Sequence, residues 1–326
     1  MLLLEEIKNS GHHRRKWGTQ TTPTVPNFRD DLPRWQQLIT AHGLNRFLAG
    51  ADVHGAPPAS RLLEIGCGGA AQFLAGHIPG ATYLDTHRLE AGPFWNKVPD
   101  AALLQVLLEM GIRHDTTVIL YGHNMPAAAR AAHLMLYAGV QDVRLLDGGL
   151  PAWLRAGLPC ASGKPQQPPR AEHFGSTFPA CPHYLINKRQ AQSHLLQPGH
   201  ALVSIRSWDE HTGKTSGYSY INARGDIPGA YWGQAGNSSD MNDMSAFHGA
   251  DGCMKPAAQI CQMWQAQGIH PTLQTAFYCG TGWRASLAFY YAWLMGWEHI
   301  SVYDGGWLEW SYGLDSVEHV HPAFGV

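Results

Sequence analysis

The feature that most constrains this chain is that one unit is written in it twice. Ile119–Trp153 lies on Ala276–Trp310 without a gap, every residue 157 positions on. Tyr121 falls on Tyr278, Gly139 on Gly296, Asp147-Gly148-Gly149 on Asp304-Gly305-Gly306, and Trp153 on Trp310. Upstream, "GHIPGA" (Gly76–Ala81) answers "GDIPGA" (Gly225–Ala230), and "RLLEI" (Arg61–Ile65) answers "ALVSI" (Ala201–Ile205). The offset changes between these blocks, so loops differ in length; the second copy is longer between its first strand and the IPGA turn. Each copy reads as strand, loop, IPGA turn, helix, strand, turn, helix, short strand, Asp-Gly-Gly turn, helix. Val118–Tyr121 and Ala276–Tyr278 are the short apolar runs expected of strands buried on both faces. "AAARAAHLMLYAG" is a helix closed by glycine. Strands alternating with helices predict an α/β fold of two tandem domains, each a parallel sheet with helices on both faces.

The expected boundaries are an N-terminal extension over 1–27, a first domain over 28–160, a Pro-rich linker over 161–183 ("ASGKPQQPPR" at its start) and a second domain over 184–326. Charged residues are only 15% of the 326 and the net charge is -2, which argues against a nucleic acid or an anionic membrane surface as partner. The basic run His12–Lys16 reads as a solvated tail. No stretch approaches a membrane span, and "MLLLEEIKNS" lacks the pattern of a signal peptide, so a cytoplasmic location is expected. Six cysteines without a CxxC pair do not form a disulfide framework. Nineteen histidines show neither HExxH nor a Cys/His ladder, so no metal site is expected.

The chemistry concentrates in "YCGTGWRAS", Tyr278 to Ser286. Ligands of parallel α/β sheets bind beyond the carboxyl ends of strands. In a glycine-rich turn there, backbone N–H groups converge into an anion nest, and the next helix adds its positive end. Gly280 and Gly282 let the chain curl. Such a nest favours a thiolate, or a charged adduct such as a persulfide, at Cys279. The first copy is an internal control. Gly122 stands at the position of Cys279, Pro126 at that of Trp283 and Ala127 at that of Arg284. The scaffold persists without the thiol, so Cys279 is there for chemistry. Cys67, Cys160, Cys181, Cys253 and Cys261 have no comparable pocket context in the sequence and read as bystanders.

The tandem repeat, the IPGA and Asp-Gly-Gly turns and a single cysteine loop in the second copy resemble the rhodanese (thiosulfate sulfurtransferase) family over about residues 30 to 320. The loop "CGTGWR", with "TSGYSYI" (Thr215–Ile221), "WNKV" (Trp95–Val98) and "GIRHDTTVILYG" (Gly111–Gly122), is similar to bacterial multidomain rhodaneses, a group that includes the ergothioneine-forming hercynine sulfurtransferase. The resemblance implies that Cys279 takes the outer sulfur of a small anionic donor such as thiosulfate. Gly280, Thr281, Gly282, Trp283 and Arg284 would hold the resulting persulfide, and a small-molecule or protein acceptor would remove it. No metal or organic cofactor is implied beyond the persulfide itself. The Cys-x4-Arg spacing fits sulfur transfer better than the longer phosphatase loop.

Several residues carry open readings. Ser204 replaces the aspartate usual before Arg206, and Asp226 replaces the histidine of the IPGA turn, where it would cap or brace. Arg206 and Glu210 are either a structural ion pair or a donor contact. Arg284 points either to the loop or to the donor. Trp283 either walls the pocket or packs. Tyr218 and Tyr220 lie in a loop that only the second copy has, a candidate lid. Tyr220 matches a tyrosine that takes part in catalysis in the ergothioneine-forming relative. Trp232 and "GNSSDMNDM" (Gly236–Met244) are candidates for the same mouth. Three functions remain: sulfane-sulfur transfer between small molecules, C–S bond formation on a small molecule of the hercynine type, and delivery of persulfide to a partner protein with the first domain as a binding module.

Overall fold

A computed structural model describes residues 26–51 and 60–313. The basic run His12–Lys16 lies outside the described residues, as does nearly all of the N-terminal extension. In the first repeat the chain runs β1 (Leu38–Ile39), α1 (Ala41–Leu48), β2 (Ser60–Gly66), α2 (Ala71–Ala75), β3 (Thr82–Asp85), a hairpin of β4 (Glu90–Ala91) and β5 (Asn96–Lys97), α3 (Asp100–Glu109), β6 (Thr117–Tyr121), α4 (Met125–Ala138), β7 (Asp142–Leu146) and α5 (Gly149–Arg155). The second follows with β8 (Leu185–Ile186), α6 (Lys188–His194), β9 (His200–Ser204), α7 (Trp208–His211), β10 (Tyr231–Trp232), α8 (Ala257–Gln265), β11 (Gln274–Tyr278), α9 (Trp283–Leu294), β12 (Ile300–Tyr303) and α10 (Gly306–Ser311).

The main sheets are parallel and have one topology. Their strand orders are β1-β7-β6-β2-β3 and, read from the matching end, β8-β12-β11-β9-β10. The central strands β6 and β11 carry "TVILY" and "QTAFY", buried except at Gln274, because helices cover both faces. Strands of two residues (β1, β8 and β10) or four (β3) are too short for a periodicity to read, so they were not legible in the sequence. Among the described residues the hairpin β4–β5 has no counterpart in the second copy.

Helices α4 and α9 are equivalent in the repeat and pack on one another between the two sheets. Every residue of α4 is buried, and every residue of α9 but Trp283. That is why both are apolar all round rather than on one stripe. One apolar core therefore runs through both domains. The connection is no free spacer. Ala161 pairs with His77, the Ala171 N–H donates to Leu108 O, and Phe174 is buried.

The Asp-Gly-Gly aspartates complete the junction reciprocally. Asp147 of the first domain accepts the N–H of Met254 of the second at 2.8 Å. Asp304 of the second accepts the N–H of Lys97 of the first at 2.8 Å. Among the described residues no helix is long and apolar enough to cross a membrane.

Candidate active site

Cys279 follows β11 and is buried. The N–H of Gly282 donates to its Sγ at 3.2 Å. Behind it α9 opens at Trp283, where the first N–H groups have no acceptor within the helix. Gly282 has φ 140°, a conformation that excludes side chains. A Cβ on Gly280 would stand 2.1 Å from the Tyr218 ring. The Asp-Gly-Gly turn braces this loop from below. Trp307 N–H donates to Cys279 O at 2.8 Å and Leu308 N–H to Gly280 O at 3.0 Å. The first copy keeps the brace without the thiol, Leu150 N–H to Gly122 O at 3.0 Å. The repeated turn is thus a support for the loop, whatever the loop carries.

Arg284 reaches neither the loop acceptors nor open solvent. Its guanidinium forms a two-pronged pair with Glu210, at 2.9 and 2.8 Å, and donates to the Tyr218 hydroxyl. Burial pushes the Glu210 carboxyl up, but Arg284, with Arg206 and the Ser207 N–H, outweighs it and holds Glu210 below the usual carboxylate range. The Tyr218 oxygen also accepts the N–H of Gly280 at 2.9 Å, so that N–H of the expected persulfide nest is already engaged. Burial raises the Tyr218 ionisation far above that of an ordinary tyrosine, which keeps the phenol neutral. Arg284 also stands 5.3 Å over its ring.

Tyr220 stands at the rim, 46% exposed, its ring 5.5 Å from Tyr218. Burial of its hydroxyl and the nearby Cys279 push it up to about 12, against a hydrogen bond with Thr281. Tyr218, Tyr220, Cys279, Thr281, Trp283 and Arg284 line one cavity of about 450 Å³, with Met241 and Asn242 of the "GNSSDMNDM" segment.

Arg206 and Trp232 are not brought to the cavity. Arg206 is fully buried beneath it, donating to Gly225 O at 2.6 Å and Ser216 O at 3.2 Å, 3.4 Å from Asp226 and 3.5 Å from Glu210. It ties down the base of the Tyr218 loop. Trp232 donates its indole N–H to Arg206 O and packs on Trp208. A strand-end residue can face either side of its sheet layer, and these face the support rather than the mouth. The two departures from the family pattern also compensate. Asp226 accepts from Ser204 Oγ at 2.5 Å, Tyr278 Oη at 2.5 Å and His211 Nδ1 at 2.7 Å. In the first copy the carboxylate sits on the strand instead, as buried Glu64, whose charge helps burial raise the ionisation of Tyr121.

The first domain supplies the other wall of the cavity, with Cys67, Thr86, His87, Glu90, Pro93 and Trp95. None was singled out in the sequence as a site residue; Trp95 stood there only within the motif "WNKV". Cys67, read there as a bystander, lies in the pocket. Glu90 is buried, accepts the Trp283 indole N–H at 2.6 Å and pairs with Arg130 at 3.1 Å; Arg130 also holds Asp304 at 2.5 Å. Burial pushes the Glu90 carboxyl up against the pull of Arg130. Trp95 takes φ 59° and turns its ring to His87, 5.6 Å away. Cys67, Asp85 and His87 bring one possible metal-ligand atom each within 4.8 Å of one another. None of the six cysteines is in a disulfide.

The model of the rhodanese-like domain matches the chain twice, over residues 63–156 and 187–312. Thiosulfate sulfurtransferase YnjE of Escherichia coli (strain K12) is 49% identical over 287 residues, 88% of this chain but 66% of that protein. The YnjE crystal structure superposes with a TM-score of 0.85, covering 89% of this chain and 69% of that one. Sulfur carrier protein TtuD of Thermus thermophilus is 30% identical over 257 residues, 72% of this chain and 82% of that protein. The anaerobic ergothioneine biosynthesis enzyme from Chlorobium limicola, in complex with trimethyl histidine, is 34% identical with a TM-score of 0.84, covering 89% of this chain and 71% of that one. With both repeats matched and the cysteine loop in the second, this chain belongs to the rhodanese-like domain family.

Proposed function

We propose that the chain is a sulfurtransferase that moves sulfane sulfur through a Cys279 persulfide. The observation that carries the reading is the Gly282 N–H on Cys279 Sγ, in a loop closed by the start of α9. Both stabilise negative charge on sulfur, in the thiolate and in the persulfide. The Cys279 thiolate attacks the outer sulfur of a donor such as thiosulfate. The donor S–S bond breaks, sulfite leaves with the electron pair, and Cys279–S–S⁻ remains. An acceptor nucleophile then takes the outer sulfur and returns the thiolate. No metal or organic cofactor enters these steps. Unpaired cysteines fit a reducing compartment, and we place the protein in the cytoplasm on that ground.

One observation favours C–S bond formation as a second reading. Arg284, the one arginine lining the cavity among the described residues, is neutralised by Glu210, and the cavity walls include Trp95, Trp283, Tyr218, Tyr220 and Glu90. Aromatic rings suit a small cationic acceptor, which a cavity of about 450 Å³ can hold.

The deciding test is intact mass after incubation with thiosulfate, for the wild type and Cys279→Ser. One added sulfur in the wild type, absent in the variant and removed by cyanide, supports sulfur transfer through Cys279. No added sulfur from thiosulfate or polysulfide removes the reading.

A further inference from the structure

Cys67 opens into the cavity that Cys279 lines, but from the other domain. It follows β2, at the carboxyl end of the first sheet, where parallel sheets place ligands. Unlike Cys279 it is exposed. Its Sγ stands 3.9 Å from Nε2 of His87. The other ring nitrogen, Nδ1, lies 3.0 Å from Oδ1 of Asp85. Asp85 is itself fixed, since Oδ1 accepts the His87 N–H at 3.0 Å and Oδ2 the Gly69 N–H at 2.9 Å. A carboxylate on Nδ1–H turns bare Nε2 toward the sulfur, the order of a thiol, its base and the group that orients the base.

The same three residues could also be read as metal ligands. Both carboxylate oxygens are engaged and Asp85 takes one ring nitrogen, which leaves a sulfur and one nitrogen, too few for a structural zinc. Cys67 also lines a second cavity, of about 310 Å³, walled by the first domain and by Asn242 and Trp283 of the second, so it borders two cavities.

We propose that Cys67, with His87 as base and Asp85 orienting it, is a second sulfur-carrying thiol that relays sulfane sulfur from Cys279 to acceptors too large to enter the cavity. The proposal rests on the Cys279 persulfide reading. His87 Nε2 takes the Cys67 proton. The Cys67 thiolate attacks the outer sulfur of Cys279–S–S⁻, a new S–S bond forms on Cys67, and the old one breaks. Cys279 leaves as thiolate, and Cys67 holds the persulfide. No oxidant or reductant is consumed. The sulfur thereby moves from a thiol that is 2% exposed to one at the surface.

The test uses the full chain, reduced and held in a chelator. It is exposed briefly to thiosulfate, alkylated and mapped by peptide mass. The relay predicts the extra sulfur on Cys279 and then on Cys67. Cys160, also exposed but lining neither cavity, stays free. An unassisted thiol is only a few per cent thiolate near pH 7, so His87→Ala lowers the rate at which sulfur passes to Cys67, taken relative to the sulfur loaded on Cys279 of the same variant, by about ten-fold. Sulfur on Cys279 with none on Cys67 overturns the relay alone. Equal labelling of Cys67 in Cys279→Ser does so too, because the donor then loads Cys67 directly. Sulfur on neither thiol overturns the Cys279 reading and the relay with it.

Discussion

Trp283, the first residue of the helix behind the cysteine loop, donates its indole N–H to Glu90 of the other domain at 2.6 Å. The thiol-bearing domain is thus held in register by the one whose own loop carries Gly122 in place of the cysteine. Glu90 is also a partner of buried Arg130, which in turn holds Asp304 beside the loop. Removing one member of a buried ion pair leaves a charge without compensation, at a cost of about 3–5 kcal/mol. Glu90→Ala is expected to lower the stability from urea unfolding by about 3 kcal/mol, and Glu90→Gln by less because it keeps an acceptor for the indole. A wild-type urea midpoint for Glu90→Ala would show that the contact bears no weight.

Arg284 and Glu210 form a second buried pair, and Tyr218 completes it. Because the three act as a unit, single losses should not add. Arg284→Lys keeps the charge but not the two-pronged geometry, and is expected to lower thiosulfate:cyanide turnover by roughly ten-fold or more. A double-mutant cycle on Arg284→Ala and Glu210→Ala should give a coupling of about 2 kcal/mol in stability. Additive effects would mean that the pair is incidental to the loop.

The two tyrosines should separate cleanly. Tyr218 accepts the N–H of Gly280 from inside the loop, whereas Tyr220 stands at the rim. Tyr218→Phe removes that acceptor and the partner of Arg284, leaving buried donors unpaired, and is expected to cut persulfide formation from thiosulfate by about ten-fold or more. Tyr220→Phe is expected to leave thiosulfate:cyanide exchange within about two-fold, and to abolish C–S bond formation if the enzyme performs it. Equal losses in cyanide exchange from both variants would contradict this division.

Asp147 sets an unusual pH dependence. Burial pushes its carboxyl up to about 6, from an ordinary value of 3.8. The folded state therefore binds a proton that the unfolded state releases, and stability from this group falls as pH rises from about 4 through 6. Glu210 and Asp226 have the opposite sign. Both are held below the usual range, so what they contribute is present at neutral pH and lost in acid below about pH 4. Asp147→Asn, which keeps an oxygen for the Met254 N–H, is expected to be about 2 kcal/mol more stable than wild type at pH 8 and no more stable at pH 4. Parallel urea titrations at the two pH values check this; an offset that does not change with pH would refute it.

Local sequence carried much of this protein. The gap-free repeat implied two copies of one α/β unit, and the strand orders agree because the same apolar runs and turns build each sheet. The cysteine loop was legible as well, since a thiol at a strand end followed by two glycines in a turn has few other uses, and Gly122 in the other copy showed that the fold does not need it. Those signals are local: periods of two and of 3.6 residues, and turns that demand glycine. What faces what is not local. The hairpin that carries Glu90 and Trp95 has two-residue strands and no periodicity. Arg206 and Trp232 lie on the supporting side because packing, not spacing, chose their direction. Arg284 found Glu210, 74 residues away, because burial leaves a guanidinium no water to turn to. Cys67 reaches the cavity of Cys279 only because two helices apolar all round had to bury each other, and in doing so brought the ends of two sheets together.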